Sequence, residues 1–75
     1  MEFEQLQRAI EAILFAAGEP VEAARISMAL ETGTADVIQA ADKLADRYSF
    51  ERRGVRIIRL ENAYQMVSSG EMADL

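Results

Sequence analysis

The sequence predicts an α+β domain built from three helices followed by a two-stranded β-hairpin. Three observations carry this expectation. Apolar residues recur at helical spacing in three successive segments, Gly18 with Pro20 and then Gly33 separate them, and the β-branched residues Val55, Ile57 and Ile58 cluster just after Gly54. At 75 residues there is room for one domain, and a domain this small hides only roughly 60% of the surface its unfolded chain exposes. With 51% apolar and 28% charged residues the chain is too apolar to stay disordered. It contains no cysteine and no histidine, so disulfides and thiolate or imidazole metal sites are excluded as staples, leaving oligomerisation.

The first helix is read over Phe3–Ala17, where Phe3, Leu6, Ile10, Ile13, Leu14 and Ala17 share one face and Gly18 follows as the C-terminal cap. Phe15 projects away from that stripe, among Glu4, Arg8 and Glu11. Pro20 disfavours helix at Glu19 yet suits a new helix start, so a short second helix is placed at residues 21–31, with Ala23, Ile26 and Leu30 facing inward and Met28 outward. In the turn 32–34, Gly33 is expected to take a left-handed conformation and Thr34 to cap the next helix through its hydroxyl.

The third helix, at residues 35–48, turns Val37, Ile38, Ala41, Leu44, Ala45 and Tyr48 inward. Its other face carries Asp36, Gln39, Asp42, Lys43, Asp46 and Arg47. After a polar break at 49–54 the first strand is residues 55–60; a turn at Glu61, Asn62 and Ala63 follows, with Asn62 accommodating positive φ, and the second strand is residues 64–67. Residues 71–75 read as the opening turn of a further helix, with Ser69 or Ser68 as its cap. The domain is accordingly drawn at residues 1–68, and residues 69–75 as a linker or the start of a second domain.

Helix, helix, turn, helix and hairpin is the order of a winged helix-turn-helix, with the third helix as recognition element and the hairpin as wing. More specific are the strings AIEAILFAAGEPV at residues 9–21, LADRY at 44–48 and RGVRII at 53–58. Together they resemble the N-terminal domain of the segregation and condensation protein B family, the accessory subunit of bacterial condensin. The resemblance runs over about residues 9–68. Two positions depart from the family pattern: the wing turn, usually glycine-rich, is Glu61, Asn62 and Ala63, and a leucine common early in the second helix is Ala23.

The resemblance implies two winged-helix domains in tandem, so that the segment from Ser69 resembles the start of the second. It implies a homodimer formed largely through N-terminal domains, which grips the kleisin subunit, segregation and condensation protein A, and through it the SMC ATPase. It also implies no catalytic activity and no cofactor, with a cytoplasmic, nucleoid-associated location. Acidic residues at the N-terminus and Glu11 within the first apolar stretch fit neither a signal peptide nor a membrane span.

Composition weighs on function independently. The net charge is −5, a field that repels nucleic acid at long range. The basic residues gather late, with three Lys or Arg against nine acids in residues 1–46 and five arginines against four acids thereafter. Asp36, Asp42 and Asp46 occupy the helix face that would enter a DNA groove, where phosphate binding needs positive charge. The alternative function, a winged-helix DNA-binding transcriptional regulator, rests on Arg52, Arg53, Arg56 and Arg59 at the base of the wing. Strand alternation sets Arg56 on one face and Arg59 on the other, and pairing with the chain's own carboxylates or with a partner's accounts for them better than phosphate contact. An enzyme is not indicated, since histidine base, cysteine nucleophile and glycine-rich phosphate loop are all lacking. The candidate protein-interface residues are Phe15, Met28, Ala12 and Arg8, with Phe15 the residue to test first because an off-stripe aromatic either covers a neighbouring element or fills a pocket on a partner.

Overall fold

The computed structural model describes residues 1–70. Helix α1 (Phe3–Ala17) is followed by β1 (Val21–Glu22), α2 (Ala23–Leu30), α3 (Thr34–Phe50), β2 (Val55–Leu60) and β3 (Ala63–Ser68). The three strands form one antiparallel sheet in the order β1-β3-β2. The helix read at residues 71–75 lies outside the described residues. Among the described residues no helix is long and apolar enough to cross a membrane.

The expected order of helices and hairpin is present, with a third strand added. Val21 and Glu22, read as the first turn of the second helix, pair with Tyr64 and Ala63 instead. Pro20 brings the chain in extended, and β3, whose other edge is taken by β2, offers an open row of backbone groups. The next amide, Ala23 N–H, donates to Asn62 O at 2.8 Å. This bond satisfies one of the unpaired amides of the α2 N-terminus, so pairing with the sheet outcompetes one more turn of helix.

Gly18 ends α1 as expected, at φ 66 with its N–H bonded to Leu14 O. The other left-handed positions fall elsewhere than anticipated. Glu31, not Gly33, takes φ 53 at the end of α2, and Gly33 sits at φ −57 as the N-cap of α3, so Thr34 is already helical and caps nothing. The α2–α3 connection is held instead by Ser27, whose hydroxyl donates to Thr32 O, and by Thr32 N–H to Ser27 O at 3.1 Å. In the wing, Glu61 rather than Asn62 is left-handed, at φ 61, and Leu60 pairs with Ala63 across a two-residue loop. Helix α3 runs two residues past Tyr48, through Ser49 and Phe50, because its C-terminus is closed only when Arg52 turns left-handed and Arg53 N–H reaches Tyr48 O. Neither Ser49 nor Phe50 breaks a helix strongly.

The core is Leu6, Ile10 and Leu14 of α1, Ala23 and Ile26 of α2, Val37, Ala40, Ala41, Leu44 and Tyr48 of α3, and Ile57 and Tyr64 of the sheet. Ile13, Leu30, Ile38 and Ala45 pack at its margin as partly buried residues. Phe3 and Ala17, placed on the core stripe by periodicity, are exposed at the two ends of α1. Two residues enter the core that periodicity did not select. Ala40 is fully buried, and Gln7 is 3% exposed, its Nε2–H donating to Ala40 O and its Oε1 accepting from Arg47. Gln7 thereby satisfies a buried polar group at the α1–α3 contact that would otherwise cost about 1–3 kcal/mol.

Candidate functional site

The functional surface begins with α1. Because its buried stripe is Leu6, Ile10 and Leu14, the neighbouring helical angle carries Arg8, Glu11, Ala12 and Phe15 to the outside. Phe15 is 78% exposed. The rest of the helix-sheet junction completes a groove of about 360 Å³, where Arg8, Glu11, Ala12 and Phe15 meet Tyr48 of α3, Val55 of β2 and Met66 of β3. Its lining is mainly apolar, with Arg8 and Glu11 at the polar end. Three of the four interface candidates, Arg8, Ala12 and Phe15, are thus brought together, and Val55 and Met66 join them from a distance in sequence that no spacing rule spans.

Met28 is placed elsewhere. It is 77% exposed on α2 and shares a shallow depression with Arg25 and Ala29 rather than with Phe15. The two exposed side chains therefore do not form one patch. A third exposed aromatic, Phe50, is 88% accessible at the end of α3 and escaped sequence reading. Its signal was available: once α3 extends to residue 50, Phe50 lies about 200° from the buried Tyr48.

Two of the four arginines near the wing are engaged within the chain. Arg53 pairs with Glu51 at 2.8 Å and lies over the Tyr48 ring, 4.7 Å from its centroid. Arg59 pairs with Asp42 of α3 at 2.9 Å and donates from Nε to Glu61 O. Asp42 also accepts from the Tyr64 hydroxyl at 2.8 Å. Burial, then the bond to Asp42 and its negative charge, push the Tyr64 phenol up to about 12, while Arg59 pulls it the other way. Asp42, Arg59 and Tyr64 therefore clamp the outer face of α3 to both strands of the wing. Seventeen and twenty-two residues separate Asp42 from its partners, a spacing that carries no motif. Arg52 is exposed at φ 53, and Arg56 is partly buried on β2 with its Nε lacking a hydrogen-bond partner among the described residues.

Comparison with known proteins adds relatives to this geometry. A family model described as "Segregation and condensation complex subunit ScpB" matches residues 8–75. The chain is 40% identical over 72 residues to segregation and condensation protein B of Lachnoclostridium phytofermentans, covering 96% of this chain and 38% of that protein. It is 42% identical over 65 residues to the protein of that name from Agathobacter rectalis, covering 85% of this chain and 35% of that one. The chain thus spans under two-fifths of the length of these relatives.

Among solved structures, ScpB from Mycobacterium tuberculosis superposes with a TM-score of 0.88 at 22% identity, over 99% of this chain and 46% of that one. A dimer of the ScpB N-terminal domain complexed with a ScpA peptide superposes with a TM-score of 0.83 at 23% identity, over 96% of this chain and 90% of that one. At such identities the structures show that the fold is shared, and the winged-helix reading stands with β1 as its third strand. The family match over residues 8–75, together with relatives near 40% identity, establishes that the chain belongs to the segregation and condensation protein B family.

Proposed function

We propose that this chain is a non-catalytic adaptor and dimerisation domain of a bacterial condensin complex, acting with the nucleoid in the cytoplasm. The carrying observation is Phe15, an aromatic held in the open at an apolar groove with Ala12, Val55 and Met66. An aromatic this exposed beside apolar lining is the composition of an interface anchor. Support comes from the relative of the same fold solved as a dimer with a ScpA peptide. In this reading Phe15, Ala12 and Arg8 meet the second copy, Met28 offers a separate contact on α2, and the kleisin subunit links the dimer to the SMC ATPase. The same reading takes residues 1–68 as the domain and residues 69–75 as a linker or the start of a second winged-helix domain.

Sedimentation equilibrium of the chain tests the interface. A dimer is expected at micromolar concentration. Phe15→Ala removes a side chain whose burial stabilises by about 1.5–3 kcal/mol, and so weakens association at least tenfold. A monomer at high micromolar concentration, unchanged by Phe15→Ala, would refute the interface. Binding of a ScpA peptide to the chain, followed by calorimetry, tests the partner.

The DNA-binding alternative has less support. Two of its four arginines are committed to Glu51 and Asp42, and α3 keeps Asp36 and Asp46 exposed on its outer face. It predicts duplex binding that falls steeply with added salt, and a mobility-shift titration at low salt separates the two readings.

A further inference from the structure

The sheet has two edges, and they differ. On one side β1 is only two residues long, entered from Pro20 and left by the first turn of α2. Shortness and a flanking proline are the ordinary means by which an edge is kept from recruiting another strand. The other edge is β2, six residues reading VRIIRL, paired with β3 along its whole length and with no backbone partner on its outer side among the described residues. It holds no proline, and its register with β3 runs one to one from Val55 with Ser68 to Leu60 with Ala63, so no bulge twists it away.

Charge is the remaining protection an edge can carry, and here it is diverted. Arg59 is drawn to the helix side by Asp42 and Glu61 O. Arg56 lies on the opposite face with Ile58, and its Nε is enclosed without an acceptor among the described residues. The guanidinium as a whole is only partly buried, and its terminal N–H groups bind a carboxylate more strongly than any neutral oxygen. No acid occurs between Val55 and Leu60, so the strand itself is cationic in a chain of net charge −5. Two copies of β2 set edge to edge would bring together two Arg56 side chains, neither of which has an ion-pair partner among the described residues. An acidic strand would complement them.

We propose that the outer edge of β2 is a strand-addition site for an extended, acidic segment of another protein, with a carboxylate of the added strand bound by Arg56. Backbone hydrogen bonds supply the affinity and the alternation of side chains supplies the choice: acidic residues fall on the Arg56 face and apolar residues beside Ile57 on the other. This site uses main-chain groups of β2 and does not depend on the Phe15 groove being a dimer interface.

The test uses a capped peptide of about eight residues alternating valine and glutamate, long enough to span a strand. It is titrated into the chain with calorimetry and with amide hydrogen exchange read residue by residue. Binding is expected, with new protection at alternate amides of β2. A peptide N-methylated at every second residue should not bind, because the ladder cannot form. Lysine in place of glutamate should abolish binding. Arg56→Gln should weaken it about tenfold, with far-UV circular dichroism confirming the fold. The N-methylated arm needs no variant and decides the matter even if Arg56→Gln unfolds. Equal binding of the N-methylated or lysine peptide, or no binding by about 1 mM, overturns the proposal. Protection of β2 that rises with protein concentration alone overturns it in favour of self-pairing. Displacement of the peptide by short duplex DNA in a salt-dependent manner overturns it in favour of nucleic acid.

Discussion

Removing the carboxylate of Asp42 should cost this small domain a large share of its stability, although Asp42 lies on the outer face of α3. In Asp42→Ala two contacts vanish. The hydrogen bond from the Tyr64 hydroxyl, 2.8 Å long and part-buried, is of the kind made to a charged acceptor, worth about 1.5–3 kcal/mol. The ion pair with Arg59 has both side chains 42% exposed, and such a pair contributes only about 0.2–1 kcal/mol. The expected loss is about 2–3 kcal/mol, dominated by the phenol left without its acceptor. In a domain of this size that lowers the melting temperature by about 10–20 °C. Urea unfolding followed by far-UV circular dichroism, with a slope of about 1 kcal/mol/M, should show a midpoint shift near 2 M. A double-mutant cycle with Tyr64→Phe isolates the dominant contact and should return a coupling of about 1–2 kcal/mol. The Arg59 contribution should fade with added salt while the Tyr64 contribution persists. A cost below about 0.5 kcal/mol, or no coupling to Tyr64, would refute the clamp.

Alkaline pH should weaken the same contact. The Tyr64 phenol is pushed from 10.0 up to about 12 on folding, so the unfolded chain releases this proton first. The contribution is complete below pH 10 and is lost as pH rises through 10 towards 12. Two full units would correspond to ~2.7 kcal/mol; solvent screening at the Asp42 carboxylate, 42% exposed, reduces this to about 1–2 kcal/mol. Unfolding curves for the wild type and Tyr64→Phe across that range should converge as the phenol ionises. Gly18→Ala meets no atom within 4 Å but must adopt φ +66, and should destabilise by about 1 kcal/mol through backbone strain alone. Glu61→Gly relieves the opposite problem, a non-glycine at φ 61 in a two-residue hairpin loop. It should stabilise by about 0.5–1 kcal/mol, since the Arg59 bond goes to the backbone oxygen and survives. Thermal melts read both.

The acidic face of α3 takes on a second meaning from the clamp. Asp36 and Asp46 are exposed, where their charge opposes DNA. Asp42 is different: it ties the helix to the wing. The wing is thereby fixed relative to α3, and the open helix-sheet groove around Phe15 inherits that rigidity, since Val55 and Met66 stand on the same two strands. A site carried on rigid elements loses less entropy on binding.

Local periodicity and a strong backbone preference encode the centre of each element and the end of α1, but not every cap and turn. The spacing of Leu6, Ile10 and Leu14 specifies α1 and its buried stripe, Gly18 ends it, the β-branched run after Gly54 specifies β2, and the stripe's geometry puts Phe15 outside. Tertiary structure decided what depends on partners far along the chain. Val21 and Glu22 became a strand because β3 offered a vacant edge. Glu31, Arg52 and Glu61 were driven left-handed where closing each connection required it, at residues with no preference for that region. The Asp42, Arg59 and Tyr64 clamp, the buried Gln7, and the meeting of Phe15 with Val55 and Met66 arise from packing across tens of residues. Local propensities are worth tenths of a kcal/mol per residue, whereas a ladder hydrogen bond or a satisfied buried polar group is worth about 1 kcal/mol or more. Wherever the two competed at an element boundary, the tertiary contact prevailed.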